Sequence, residues 1–366
     1  MAMTPLGRKL CRLIEANGPI SIAEYFSLCL SDPEHGYYQT HEPFGTAGDF
    51  TTAPEISQLF GEMIGIFLIL AWQAHGRPKA VQLLEIGPGR GTLMADAQRV
   101  VQQLAPDMAS SARAHMIETS QRLQEVQRQT LSSCPIATQW HERLEDVPAG
   151  FTLLVANELF DALPIRQFVQ TPDGFRERVV ALDDSGALRF QPGLAKIDPQ
   201  LLPRSNQPAP GTVFEIAPAR QAIMAQIAQR LVSQGGTALI IDYGHLQTAF
   251  GDTLQAMAKH QYLDVLAAPG QSDLTSHVDF DALSQSARQQ GAVPFPPMNQ
   301  GRFLLELGLL ERAGILGAGK DTSVQESIQR SVARLAGSED SQMGNLFKAL
   351  CVNSNDTLIF PYKSHD

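Results

Sequence analysis

The stretch LLEIGPGRGTL, Leu83 to Leu93, joins an apolar run to a glycine-rich turn and then to an amphipathic segment. The run it completes, AVQLLEIG from Ala80 to Gly87, has the continuous apolar character of a strand buried on both faces. The residues that follow, TLMADAQRVVQQLA, place Leu93, Met94, Ala97, Val100, Val101 and Leu104 on one helical face. The reading is strand, tight turn, helix. Gly87, Gly89 and Gly91 permit the turn and let a ligand approach the backbone at a helix N-terminus. A dinucleotide turn wants its third glycine or alanine three residues after the second, and Thr92 stands there. The spacing is G-x-G-x-G instead.

Outward from this turn the pattern repeats. RAHMIE (Arg113–Glu118), IATQWH (Ile136–His141) and FTLLVAN (Phe151–Asn157) read as further strands, with a polar helix after the first of them. AIMAQIAQRLVSQGG is a helix stopped by paired glycines, and it leads to the strand TALIIDYG. Strands alternating with helices predict a mostly parallel α/β sheet. Between the last two strands lies IRQFVQTPDGFRERVVALDDSGALRFQPG, whose period-2 segments and turns at Pro172-Asp173-Gly174 and Ser185-Gly186 predict a β-meander insertion. The expected organisation is a helical cap region over 1–78 and a Rossmann-like domain over 79–366, with the insertion at 165–214. Within the cap region, Thr52 to Glu55 (TAPE) has the form of a capping box ahead of an apolar helix.

Bulk properties narrow the function. The chain has 366 residues, 43% of them hydrophobic and 18% charged, and carries a formal charge of −10. A protein that binds nucleic acid usually offers a basic surface to phosphates, so nucleic acid is not the expected partner. Cys11, Cys29, Cys134 and Cys351 lie far apart and form no CxxC pair, so neither a zinc site nor a disulfide framework is expected. The longest apolar run, MIGIFLILAW (Met63–Trp72), is about half of the roughly 20 residues a spanning helix needs. It reads as a core helix, with no membrane insertion.

The G-x-G-x-G spacing is that of S-adenosylmethionine-dependent methyltransferases, in which the turn packs against a nucleoside and an amino acid. Glu85 closes the strand before the turn. Glu118, at the tip of the next strand, is placed to accept hydrogen bonds from both ribose hydroxyls. A purely structural turn is the alternative.

Several blocks together resemble the MidA-like family of methyltransferases, which includes the mitochondrial complex I assembly factor that is a protein-arginine methyltransferase. They are AGDFTTAPEISQLFGEMIG, LLEIGPGRGTLMAD, NELFDALP, ALIIDYGH, DLTSHVDF and MGNLFKAL, and the resemblance runs from about Leu6 to Phe360. It implies a seven-stranded Rossmann-like sheet in the order 3-2-1-4-5-7-6, with the seventh strand antiparallel, and S-adenosyl-L-methionine as methyl donor. Gly87, Gly89, Gly91 and Glu118 would bind the donor, and the loop of Gly48, Asp49, Phe50, Thr51 and Thr52 would cover it. For mitochondrial members it implies symmetric ω-dimethylation of an arginine on a core subunit of complex I. Phe175 and Met257 depart from the family pattern, where tryptophan and tyrosine are common.

Asn157, Glu158 and Asp161 sit at the carboxyl end of the fourth strand, where open α/β sheets bind ligands. An arginine acceptor stays protonated, with its lone pairs delocalised. Carboxylates can clamp its N–H edges and fix the direction of attack. Glu158 and Asp161, three apart, share a face if the segment is helical. They would then grip the guanidinium while Asn157 orients the nucleophile or the donor. The alternative is that Asn157 or Asp161 caps a following helix and Glu158 pairs with a surface arginine. Nucleic-acid amino-methyltransferases carry two prolines after the Asn/Asp at this point, and Glu158 and Leu159 replace them.

Asp242, His245, Asp273, His277 and Asp279 form a further polar group. No metal is expected there, since methyl transfer needs none. Tyr243, His245 or His277 would line the acceptor channel or take the released proton. The reading is an enzyme acting on protein arginine in the bacterial cytoplasm, or in the mitochondrial matrix for an imported homologue. A donor-binding assembly module and a small-molecule methyltransferase are the alternatives.

Overall fold

Strands at Val81–Ile86 (β1), Ala112–Ile117 (β2), Thr138–His141 (β3), Phe151–Asn157 (β4), Gly236–His245 (β5), Val293–Pro294 (β6) and Phe347–Asn353 (β7) form one mixed sheet. Their order across it is β3-β2-β1-β4-β5-β7-β6. The pairs among β1 to β5 are parallel, and β7 runs antiparallel to both β5 and β6. This is the order 3-2-1-4-5-7-6 expected for the fold. β6 is only two residues long, and Met298–Asn299 makes a second short antiparallel pairing on β7. Every residue of β7 is buried, whereas β3, at the sheet edge, carries half-exposed polar residues. The chain leaves β1 toward β2 and β3 on one side and returns at β4 on the other. The tips of β1 and β4 therefore flank the point where strand order reverses, which opens a crevice in sheets of this kind.

The computed structural model describes residues 3–40, 52–203, 208–258 and 261–362. Contacts divide the chain into two units. One comprises Thr51–Phe160, Ile223–Leu246 and Phe280–Asp366 and contains the sheet. The other comprises Met1–Phe50, Asp161–Ala222 and Gln247–Asp279.

In the sheet unit, helix α1 (Gln58–Ala74) carries the apolar run read as a core helix. Phe60, Met63, Ile64 and Phe67 are fully buried on it, each contributing roughly 1.5–3 kcal/mol. Among the described residues no helix is long and apolar enough to cross a membrane. The helix α2 (Thr92–Leu104) that follows the glycine turn packs against α1. Close approach is possible because α1 presents Gly61 and Gly65 to it. A Cβ on Gly61 would lie 2.6 Å from Asp96 Cβ, and one on Gly65 would lie 3.0 Å from Ala97 O. Glu62, between them and 1% exposed, accepts from Arg99 of α2 at 3.0 Å and from Arg312 at 2.7 and 3.0 Å. These charge-assisted bonds hold its carboxyl below its usual range against the opposing effect of burial.

The capping box expected at Thr52–Glu55 does not form. Thr52 makes no side-chain cap bond, and the short helix Ala53–Ile56 ends at an extended Ser57, which caps α1 instead. Glu55 turns outward to accept from Thr92 Oγ1 at 2.6 Å. A tertiary partner outcompetes the local one.

The other unit has an antiparallel sheet in which Gly174–Leu182 pairs with Ile20–Ser21, Arg166–Thr171 and Leu188–Lys196, and Arg166–Thr171 pairs with Val213–Ile216. The meander thus forms with its expected turns, Gly174 and Gly186 both taking positive φ. Helices Pro5–Asn17 and Ile22–Ser31 contribute Leu6, Leu10, Tyr25 and Phe26 to its core. Phe175, one of the departures noted above, stacks on Phe250 at 5.5 Å.

Gly61→Ala is expected to destabilise by about 1–3 kcal/mol, because overpacking against α2 outweighs the helix-propensity gain. Gly314→Ala, in a helix where an added Cβ meets nothing within 4 Å, is expected to stabilise by up to about 1 kcal/mol. Urea unfolding of the two variants checks this opposition of sign.

Candidate functional site

The tip of β1 carries a buried acid. Glu85 is 3% exposed, and its carboxylate accepts from the backbone N–H of Met94 in the first turn of α2. Its Oε2 has no hydrogen-bond partner among the described residues. Burial pushes this carboxyl up to about 8. The turn then passes through Gly87, Gly89 and Gly91 at φ of 67°, 51° and 82°, in the left-handed region that favours glycine. Gly87 is constrained twice, since a Cβ there would also sit 2.9 Å from Leu159 Cδ1. Its N–H bonds Ile117 O at the tip of β2, at 3.1 Å.

At that neighbouring tip, Glu118 Oε1 accepts from Ser120 N at 2.7 Å and Oε2 accepts from Gln127 Nε2 at 3.3 Å. Burial raises its carboxyl despite these bonds. Gln127, on helix α3 (Gln121–Thr130) and 0% exposed, also donates to Gly89 O at 2.8 Å and accepts from Trp140 Nε1 at 2.9 Å. One amide joins the glycine turn to the acid.

The tip of β4 lies beside β1. Glu158 N continues the ladder to Ile241 O at 2.9 Å, but Glu158 itself takes φ of 50°. Residues 158–164 form bends and turns, so no helix follows Asn157. The expectation that Glu158 and Asp161 share a helical face is therefore overturned, as is helix capping by Asn157 or Asp161. Tertiary bonds dictate the path instead, with Phe160 N held by Asp242 Oδ2 at 2.9 Å. Glu158 Oε1 accepts from Ala53 N at 3.0 Å and from Asn157 Nδ2 at 3.1 Å. Asn157 is 8% exposed, and its Oδ1 has no partner among the described residues. A lone buried acceptor of this kind is costly unless a ligand donates to it.

Asp161 and His277 belong to the other unit, where one side chain joins their segments. Arg220, 2% exposed, donates from Nη2 to Asp161 O at 3.0 Å and to Ser276 Oγ at 2.5 Å. Its Nη1 donates to His277 O at 2.7 Å. In the same unit Tyr38 OH bonds Asp273 Oδ1 at 3.3 Å, and Thr248 Oγ1 bonds Asp279 Oδ2 at 2.6 Å. Asp49 and Thr51 lie outside the described residues. Among the described residues no cluster of His, Cys, Asp and Glu is arranged to hold a metal ion.

Gln127 and Arg220 were not legible as site residues. Each looks like an ordinary polar position on a helix, and only the fold shows it buried with several partners. The signal available beforehand for Gln127 was an unexplained indole, Trp140, on an otherwise polar edge strand.

The residues present fit the donor expected from the sequence. The left-handed glycines leave backbone uncovered by side chains, Glu118 offers a carboxylate to a ribose diol, and the Glu85 oxygen without a partner among the described residues suits an ammonium or N–H donor. Comparison with known proteins points the same way. A family model described as "Putative S-adenosyl-L-methionine-dependent methyltransferase" matches residues 63–298. Protein arginine methyltransferase NDUFAF7, mitochondrial, of Rattus norvegicus is 37% identical over 370 residues, covering 94% of this chain and 83% of the relative. The Homo sapiens protein of that name is 37% identical over 364 residues, covering 90% of this chain and 78% of its own length. A crystal structure from Burkholderia thailandensis, bound to S-adenosyl-homocysteine, superposes with a TM-score of 0.85 at 25% identity, covering 98% of this chain and 96% of that one.

The buried acid of β1 makes stability depend on pH. Folded Glu85 holds its proton up to about 8, while an ordinary carboxyl releases it near 4.5. The folded state thus binds more protons in this window, and the contribution is lost as pH rises. Glu85→Gln is expected to be more stable than the parent at pH 8 by about 1–4 kcal/mol, and to lose that advantage toward pH 4.5. Urea unfolding of ligand-free protein across this range is the measurement.

Proposed function

From the premise that this chain belongs to that family of S-adenosylmethionine-dependent methyltransferases, with S-adenosyl-L-methionine as its methyl donor, we propose that it methylates arginine in a protein substrate. The observation that carries the acceptor side is Asn157 Oδ1, a buried oxygen with no donor among the described residues, beside the Glu158 carboxylate at the tip of β4. The arginine chemistry is supported by the two relatives that bear that name.

When bound, the donor supplies an electrophilic methyl on a sulfonium sulfur. The protein's task is then to aim a nitrogen and to remove one proton. Asn157 Oδ1 accepts an N–H of the entering guanidinium and sets its direction. Glu158, already fixed by Ala53 N and by Asn157, holds positive charge away from the reacting nitrogen. Asp161 is assigned as the second carboxylate of the clamp, and His277 as the group that takes the proton. Positioning of this kind supplies much of the rate in a displacement. On the donor side Gly87, Gly89, Gly91, Glu85 and Glu118 form the pocket, and Asp49 and Thr51 are assigned to cover it.

We assign residues 79–366 to the methyltransferase domain, with 165–214 inserted and 1–78 as its cap region. Symmetric ω-dimethylation is the proposed product, and a core subunit of respiratory complex I is the first substrate to test. The proposed compartment is the bacterial cytoplasm, or the mitochondrial matrix for an imported homologue.

With isotopically labelled donor and that subunit, mass spectrometry is expected to find label on an arginine. Asn157→Ala and Glu158→Ala are each expected to lower kcat by about 100-fold, while S-adenosylhomocysteine affinity stays within about 3-fold. Label confined to residues other than arginine, or unchanged turnover in both variants, would overturn the reading.

A further inference from the structure

We infer that Gln127 is a positioning residue for the donor, acting through Glu118. The inference rests on the reading above that Glu118 takes the donor ribose.

The orientation of the Gln127 amide is not free. Trp140 Nε1 can only donate, so the amide oxygen must face it. Both amide hydrogens are then committed, one to Gly89 O and one to Glu118 Oε2. The side chain is 0% exposed, so water does not compete. The Arg128 guanidinium lies 4.6 Å from the centre of the Trp140 ring, covering the indole that sets the amide. All three groups that Gln127 bonds have defined places. Gly89 lies in the turn itself, Glu118 at the tip of β2, and Trp140 on β3.

The consequence for Glu118 follows from its lone pairs. Ser120 N–H bonds Oε1 and Gln127 bonds Oε2, and the Thr119 backbone N–H is a further donor to the carboxylate. These donors hold the carboxylate plane and so fix the acceptor directions that remain. A pair of vicinal hydroxyls needs two such directions held side by side. Without Gln127 the carboxylate keeps only the backbone donors of Ser120 and Thr119, its neighbours in the chain, and loses the donor that reaches it from α3. Gly89 O would also lose its side-chain donor, so the turn and the acid would be joined only through the backbone bond of Gly87 N to Ile117 O.

The test uses the full chain and two probes, S-adenosylhomocysteine and its 2′-deoxyribose analogue, with affinities measured calorimetrically. Gln127→Met keeps length and apolar volume but removes both donors and the acceptor. It is expected to weaken S-adenosylhomocysteine about 10-fold or more and to weaken the deoxy analogue much less. The preference for the ribo ligand should therefore shrink, which a general loss of packing would not cause. Trp140→Phe, which frees the amide to flip, is expected to shift that preference the same way by a smaller factor. It serves as the second readout if Gln127→Met does not fold. Glu118→Ala separates the two claims. If it leaves the ribo-to-deoxy ratio unchanged, the assignment of Glu118 fails. If it abolishes the ratio while Gln127→Met and Trp140→Phe retain the parental value, Glu118 stands and the inference about Gln127 is overturned.

Discussion

The arrangement depends on one close approach. Leu159, just past the tip of β4, lies against Gly87, just past the tip of β1, so closely that a Cβ at residue 87 would sit 2.9 Å from Leu159 Cδ1. Two turns on adjacent parallel strands are thereby pressed together. Between them Glu158 takes a positive φ, and its carboxylate accepts from Ala53 N. A non-glycine residue in that conformation is uncommon and persists only where its surroundings hold it. Here the holding bonds are Glu158 N to Ile241 O and Phe160 N to Asp242 Oδ2. The turn assigned to the donor and the turn assigned to the acceptor are one packing unit.

A second level of support lies behind this contact. Gly61 and Gly65 bring α1 against α2, and the buried Glu62 ties α1 to Arg99 and Arg312. Since Gly91 is the N-cap of α2, any displacement of that helix is transmitted to the glycine turn. Removing one partner of a buried ion pair strands the other in low dielectric, so such a network resists piecemeal change.

What could be read from the sequence was whatever depends on local pattern. The runs at Val81–Ile86, Phe151–Asn157 and Gly236–His245 are apolar enough to require burial on both faces, and they became central strands. The turn geometry at Gly87, Gly89 and Gly91 followed from residue type, and the strand order came from the family resemblance. Local pattern misled where a distant group offered a better bond. Thr52 and Glu55 have capping-box spacing, yet Glu158 serves the helix N-terminus and Glu55 serves Thr92. Asn157 to Asp161 could have begun a helix, but Asp242, 82 residues away from Phe160, captured the backbone. Arg220, which no local pattern marks, is among the largest fully buried side chains. Which polar residue ends up inside is decided by the tertiary fold.

The meander inserted between β4 and β5 has a consequence for synthesis. The unit that contains it is assembled from Met1–Phe50, Asp161–Ala222 and Gln247–Asp279, with stretches of the other unit threaded between. Ile20–Ser21 pairs with Val180 and Val179, about 160 residues downstream, so the first helices emerge from the ribosome long before the strand they need. Their apolar faces, including Leu6, Leu10, Tyr25 and Phe26, must wait uncovered during elongation. Nascent chains halted before the meander would be the natural clients of a holding chaperone.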